Sequence, residues 1–199
     1  MAYPTVSGPY GLKPINLIGG RVFAGATRQF PIASGYAANI FNGDVVKLIN
    51  DGTLEKDTGT ATATPVGVFI GCAYTSPALG YQLYSQYYPT GTVASDIVAY
   101  IVDDPEALFK VAVTAAGSST MSTVARTAVG NNSVLIQTAG STATGDSKVS
   151  ISATTATTAT QPMRIIDVVS ETATAADAFP EVIVKWNWGM HQYQNATGV

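Results

Sequence analysis

The residues best suited to nucleophilic or acid–base chemistry are one histidine, His191, and one cysteine, Cys72, in a chain of 199 residues. Histidine-dependent hydrolysis needs a serine or cysteine beside the ring, and a serine nucleophile often lies in a GxSxG turn. That turn is absent, although serines are too numerous for spacing alone to exclude a triad. His191 lies in the aromatic stretch WNWGMHQYQ and Cys72 in the apolar stretch VGVFIGCAYT. We predict no catalytic residue: His191 packs or hydrogen bonds near the C-terminus, and Cys72 is a buried small side chain.

The acidic cluster DDPEALF, residues 103 to 109, is a second candidate for chemistry. Asp103, Asp104 and Glu106 could bind calcium or form a carboxylate pair, and a glycan hydrolase would draw its pair from these three residues or Asp96. The structural alternative makes Asp104 the N-cap of a one-turn helix, with the following proline in the first helical position and Glu106 in the first turn. We favour the helix start. Because glycine-rich phosphate-binding motifs are also absent, the sequence predicts no metal and no cofactor.

Tyrosines are concentrated in the stretch LGYQLYSQYYPTG, which contains Tyr81, Tyr84, Tyr87 and Tyr88. Stacked tyrosines could form a sugar-binding face. Tyrosine is equally common in protein interfaces, because its ring is apolar and its hydroxyl is polar. We favour an interface or core role and keep glycan binding as the alternative.

The charge content is low and its distribution excludes some partners. Charged residues make up 12% of the chain, about half of the usual share, and the formal net charge is −3. The ten lysines and arginines are scattered, whereas nucleic-acid binding requires clustered cations. The N-terminus lacks the pattern of a signal peptide, and no apolar run approaches the length of a membrane span. We therefore expect no nucleic-acid partner and no membrane partner.

Alternating apolar residues and turn signals predict strands in most of the chain. The Asn50-Asp51-Gly52 signal between two apolar runs predicts a β-hairpin. In the strand that follows, Gly67 and Gly71 predict bulges or close approach of the backbone. One short helix is predicted at residues 121 to 129.

The region from about residue 112 to 161 is rich in Thr, Ala and Ser, but NSVLIQTAG and KVSISAT keep the alternation of short strands. The fold class predicted is all-β, mainly an antiparallel β-barrel or sandwich, with an extended N-terminal arm and at most one or two short helices. The arm comprises residues 1–34, and residues 35–199 form a single β-rich domain.

The arm contains the stretch SGPYGLKPINLIGG, residues 7 to 20, whose prolines and glycines weaken any regular element. Its apolar residues must be buried, and we expect the arm to reach a neighbouring subunit or another protein. Deleting residues 2 to 20 should then leave a folded domain that has lost its binding. The candidate interface residues are Tyr10, Leu12, Ile15, Leu17, Ile18, Phe23, Phe30, Tyr84, Tyr87 and Tyr88.

Four segments carry a resemblance to a known class of proteins: YAANIFNGDVVKLINDGTLEK, TPVGVFIGCAYT, YYPTGTVASDIVAYIVDDPEALFKV and VIVKWNWGMHQYQNATGV. Their order resembles that of virion structural proteins of tailed bacteriophages, particularly marine ones. Within that class it is similar to small β-rich head decoration, or cement, proteins. The resemblance covers about residues 30 to 111 and 180 to 199.

The resemblance implies a non-enzymatic protein that binds the outer surface of the capsid and stabilises the shell. Its implied partners are the major capsid protein and further copies of itself, as a homotrimer. Its implied location is the outer capsid surface of the virion, after synthesis in the cytoplasm of the bacterial host. A tail or neck protein and a carbohydrate-binding or host-adhesion module remain alternatives.

Overall fold

Two groups of strands, each with its own apolar core, form the fold in the computed structural model, which describes residues 6–199. The all-β prediction is confirmed, and the helical residues in the described part of the chain form only the short 3₁₀ turns Arg126–Ala128, Ser170–Thr172 and Gln192–Gln194. Within the described residues the strands are β1 (Lys13–Leu17), β2 (Arg28–Pro31), β3 (Val45–Leu48), β4 (Leu54–Lys56), β5 (Gly67–Thr75), β6 (Gln82–Ser85), β7 (Val98–Val102), β8 (Ala107–Thr114), β9 (Asn132–Thr138), β10 (Lys148–Ala156), β11 (Met163–Val168) and β12 (Glu181–Trp186).

The first group is a five-stranded barrel in the order β8-β10-β9-β11-β12, which closes because β12 also pairs with β8. All of its pairings are antiparallel except that between β10 and β8. The Thr-, Ala- and Ser-rich region supplies β9 and β10, so the short strands predicted there are confirmed. Inward-facing side chains such as Phe109, Ile151 and Val184 are fully buried, because alternate side chains of a strand point to the same face of the sheet.

The second group is a sheet in the order β2-β7-β5-β3-β4, with β6 also paired to β5. The predicted hairpin joins β3 to β4, and Gly52 adopts the left-handed backbone that this turn needs, with φ +80°. A register shift between Phe69 and Gly71 places a bulge in β5. A side chain at Gly67 would meet the carbonyl of Val102. Both glycine predictions are therefore confirmed.

The acidic cluster is a turn between the two groups, and the predicted one-turn helix is wrong. The N–H of Glu106 donates to the Asp104 carboxylate at 2.7 Å, and the N–H of Ala107 donates to the Asp104 carbonyl at 3.1 Å. Strand β8 begins directly at Ala107, which pairs with Leu17 of β1, and from Phe109 onward β8 also pairs with β12. Tertiary pairing thus overrides the local helix signal. Likewise, the helix predicted at residues 121 to 129 is reduced to its 3₁₀ turn.

The N-terminal segment belongs largely to its own fold, which corrects the expectation of an outward-reaching arm. Strand β1 pairs with β8, and Leu12 is completely buried in the barrel core. The N–H of Gly11 donates to Val149 and the N–H of Leu12 donates to Gly43. Gly11 has φ +82°, and a Cβ there would lie 2.9 Å from the Cα of Gly43, so only glycine permits this approach. Residues 1–5 of the predicted arm lie outside the described residues.

Candidate functional site

An open groove of about 600 Å³ lies where the segment between β1 and β2 faces the turn before β8. Its apolar wall includes Val22, whose side chain is 76% exposed although it is aliphatic. We call this cavity the groove; its apolar lining residues are Leu17, Val22, Phe23, Ala24, Ala26 and Pro105. A concave, mainly apolar surface of this size is typical of a binding site.

Three of the polar side chains that line the groove are bonded to one another. The Arg28 Nε lies 3.1 Å from the Asp103 carboxylate, and the Tyr193 hydroxyl donates to the same carboxylate at 2.9 Å. The Arg28 guanidinium also donates to the Tyr193 hydroxyl at 3.2 Å. Burial, together with the neighbouring Asp103 carboxylate, raises the pKa of Tyr193 to about 12. The tyrosine is therefore a neutral donor at physiological pH, and the two opposite charges neutralise one another.

The segment that carries Tyr193 joins the barrel to the second sheet. The Gln192 side chain accepts from the N–H of Leu48 at 2.8 Å and donates to the Leu48 carbonyl at 2.9 Å, as a paired strand would. His191 is completely buried, and its Nδ1 accepts the N–H of Tyr193 at 3.2 Å. His191 therefore packs and hydrogen bonds in the C-terminal segment, as predicted.

His191 should make stability depend on pH. Burial lowers the pKa of His191 below its usual value near 6.5, and the Val66 backbone, followed by Asp103 and Asp104, opposes this shift. As the pH falls through about 6.5, the unfolded chain gains a proton that the folded chain does not bind, so the free energy of unfolding decreases until the folded pKa is reached. No other histidine is present in the sequence. Urea unfolding at about pH 7.5 and 5.5 should show this loss in the natural protein. It should be absent in His191→Asn, which keeps an acceptor for Tyr193; an equal loss in both proteins contradicts the assignment.

The acidic residues that an enzyme would use are bound separately to different partners. Asp96 accepts from the Thr75 N–H and hydroxyl, and Glu106 pairs with Lys185 at 2.7 Å. Among residues 6–199, no three His, Cys, Asp or Glu side chains are grouped so that they could hold a metal ion. In the same part of the chain, no helix has the length and apolar content needed to cross a bilayer.

The tyrosine-rich stretch divides between core and surface. Tyr88 is completely buried in the second core, which corrects its assignment as an interface residue. Tyr87 is partly buried and stacks on Phe41, with ring centroids 5.5 Å apart. Tyr81 and Tyr84 are exposed, at 56% and 75%. Cys72 is buried beneath this region, as predicted, and burial raises the pKa of its thiol to about 12.

Tyr84 borders a second, shallower cavity of about 420 Å³, together with Tyr100. Ile70 lines this cavity together with neutral residues of β5 and β6, and the lining includes no charged residue. We call this surface the tyrosine face; it is lined by Thr27, Ile70, Gly71, Cys72, Tyr84, Ser85, Gln86 and Tyr100. The sequence signal that marks this face is the complete absence of charged residues from residue 58 to residue 95.

The remaining candidate interface residues lie mainly against their own chain. The Tyr10 hydroxyl donates to the buried Glu181 carboxylate at 2.5 Å, beside Lys110. Leu17 and Phe23 are partly buried against the barrel core, and Phe30 is partly buried against the second core. Ile15 and Ile18 are also partly buried. Leu17 and Phe23 alone among these residues line the groove.

The chain matches no protein-family model, no curated protein and no solved structure.

Proposed function

We propose that the protein is a non-enzymatic structural component of a tailed-bacteriophage virion that binds the outer surface of the capsid and stabilises the shell. The four sequence segments that resemble decoration proteins support this role. The observation that carries it is the tyrosine face beside the exposed β5–β6 hairpin: all of its lining residues are uncharged, and Gln86 at its margin donates to the Asp146 carboxylate at 3.0 Å. A surface of this chemistry favours contact with protein and provides no cation for nucleic acid.

The tyrosine face has the composition of a protein interface. Tyr84 projects from β6 with 75% of its side chain exposed, and tyrosine gives a large contact area with few rotatable bonds. Strand β6 pairs only with β5 among the described residues, so its other edge is available for a partner. An uncharged exposed edge is a hazard for a monomer, and a bound partner removes that hazard.

Shell stabilisation follows from binding alone. A protein that binds the assembled shell but not its separated subunits stabilises the shell by mass action. Many copies, each bound through several modest contacts, increase the effect through effective concentration. The net charge of −3 suits an outward-facing position, because an inner position would lie beside packaged phosphates.

Particle binding tests this function. Purified protein should co-sediment with particles that lack it, in a copy number that matches the shell subunits, and should raise the temperature at which those particles release their DNA. A copy number of only a few per particle would support a tail or neck location instead. No co-sedimentation would contradict virion binding.

A charge on the tyrosine face should weaken this binding. We expect Tyr84→Arg to reduce occupancy at least about tenfold, since one buried unpaired charge costs more than 1.4 kcal/mol. Trp188→Arg is the matched control, because Trp188 is an exposed aromatic residue at 79% and lies outside this face. An equal loss in both variants, or a loss in neither, contradicts the assignment of this face.

Carbohydrate binding is the second candidate, and the same face favours it. Tyr84 and Tyr100 flank a cavity whose other lining residues include the neutral hydrogen-bonding groups of Ser85, Gln86 and Thr27. This combination suits a neutral sugar, which stacks on rings and exchanges hydrogen bonds. Calorimetric titration of the isolated protein with neutral glucose and N-acetylglucosamine oligomers separates the two functions. Saturable binding that Tyr84→Arg abolishes would favour adhesion over capsid decoration.

A further inference from the structure

We propose that the tip of the β5–β6 hairpin in one copy docks into the groove of a second copy. The hairpin tip is defined as residues 77–81, Pro-Ala-Leu-Gly-Tyr. This inference rests on the proposed function, because it identifies the contact through which copies of the proposed shell-binding protein associate with one another. The groove and the hairpin tip are different surfaces, so the contact joins copies head to tail.

The hairpin tip carries exposed apolar side chains on a fixed backbone. Leu79 and Tyr81 are 55% and 56% exposed, and all five residues of the tip are exposed. The N–H of Ser76 donates to the Tyr81 carbonyl at 3.0 Å, and the N–H of Gly80 donates to the Ser76 carbonyl at 2.8 Å. Because these bonds already order the turn, docking costs little backbone entropy.

The groove has the complementary chemistry. Its wall is aliphatic and aromatic, and of its three charged residues Arg28 and Asp103 are paired with each other at 3.1 Å. The Asp104 carboxylate accepts the N–H of Glu106 in the turn. A charged occupant would have to compete with these bonds, whereas an uncharged segment buries apolar surface without disturbing them. The hairpin tip lies in the charge-free run, residues 58 to 95.

The hairpin tip does not occupy the groove of its own chain. The residues that line the groove are drawn from positions 17 to 28, 103 to 105 and 193, and none belongs to residues 77–81. Val22 in the wall and Leu79 in the tip are therefore both left facing solvent, at 76% and 55% exposure. Docking of the tip of one copy into the groove of a second copy buries both exposed side chains at once.

The area of this contact predicts weak association between two copies. An aromatic side chain offers about 150–250 Å², so Tyr81, at 56% exposure, presents about 80–140 Å², and Leu79 at 55% adds a smaller aliphatic surface. Even with the small tip residues and the matching wall, one contact buries less than the roughly 1,200 Å² at which stable pairs begin. Closing a ring gives every copy two such contacts, so association should be cooperative and concentration-dependent.

Two single substitutions and their mixture test the head-to-tail contact. Leu79→Asp places a charge on the tip, and Val22→Asp places one in the groove; both positions are more than half exposed, so both variants should fold. Sedimentation velocity from micromolar to millimolar concentration should show self-association of the natural protein. Each variant alone should associate at least about tenfold more weakly. Val199→Asp, at a position 66% exposed and outside both surfaces, should behave like the natural protein.

The mixture gives the decisive result. The variant Val22→Asp keeps an intact tip and Leu79→Asp keeps an intact groove, so equal amounts of the two should form pairs, and these pairs should stop at two copies. A monomeric natural protein at millimolar concentration, unchanged association of either variant, or no pairing in the mixture would each overturn the proposal. These measurements contain no capsid, so their failure is distinct from failure of particle binding.

Discussion

Deleting residues 2 to 20 is expected to unfold the protein, although an outward-reaching arm would have been dispensable. The deletion removes β1, which pairs with β8 along the barrel, and removes Leu12 from the core. It also exposes Glu181, a carboxylate that is 2% exposed and accepts a bond from Tyr10. The loss of a buried leucine, at about 2–5 kcal/mol, and of several backbone bonds, at about 1 kcal/mol each, is comparable with the roughly 5–15 kcal/mol by which domains are commonly stable.

The single substitution Leu12→Ala measures the same effect without removing a strand. We expect it to lower the free energy of unfolding by about 2–5 kcal/mol, because Leu12 is completely buried and the cavity cannot collapse freely. Urea denaturation followed by circular dichroism provides the measurement. Val22→Ala is the control, and its exposed side chain should change stability by less than about 0.5 kcal/mol. A deletion variant that still unfolds cooperatively would contradict the placement of this segment.

Replacing Asp44 should have the second large effect. Asp44 is completely buried, and its carboxylate accepts from the Phe41 N–H at 2.9 Å, the Lys56 ammonium at 2.7 Å and the Ser147 hydroxyl at 2.6 Å. Lys56 belongs to the second sheet, whereas Ser147 precedes the barrel strand β10. Asp44→Ala leaves the Lys56 charge largely buried and unpaired, so we expect a loss of about 3–5 kcal/mol in the free energy of unfolding.

The control is an ion pair of similar type on the surface. Arg126 lies 3.5 Å from Asp167, with both side chains at least half exposed, and Arg126→Ala should cost about 0–1 kcal/mol. Combining Asp44→Ala with Lys56→Met should cost less than the sum of the single changes, because the second removes the stranded charge. Equal costs for Asp44→Ala and Arg126→Ala in urea denaturation would show that this network does not join the two halves.

Two sets of hydrogen bonds, one at Asp44 and one at Gln192, hold distant parts of the chain together. Asp44 joins the second sheet to the barrel, and Gln192 joins the C-terminal segment to Leu48. The groove therefore has walls from both halves, and the hairpin tip has a fixed direction relative to it. Rigid placement of this kind is what a protein that acts by repeated contacts requires.

Local signals in the sequence were sufficient for the strands and their turns. The alternation in KVSISAT predicted β10 within a composition that otherwise suggested a flexible region, because period-2 alternation marks a strand with one buried face. The Asn50-Asp51-Gly52 hairpin depends mainly on neighbouring residues, and the glycine at position 71 marked the place where β5 shifts register against β7. These features were predictable because the backbone geometry of a short segment is determined largely within that segment.

Only the tertiary structure decided which apolar side chains are buried and which remain exposed. Composition and alternation determined an all-β chain with little charge, but Leu12 and Tyr88 became core residues through partners distant in sequence. The N–H of Leu12 donates to Gly43, and Tyr88 pairs with Ile40. The polar lining of the groove likewise joins Arg28, Asp103 and Tyr193, which lie 165 residues apart at their extremes. Burial depends on which surfaces come into contact after folding, and a short segment of sequence carries no signal of its contacts with distant residues.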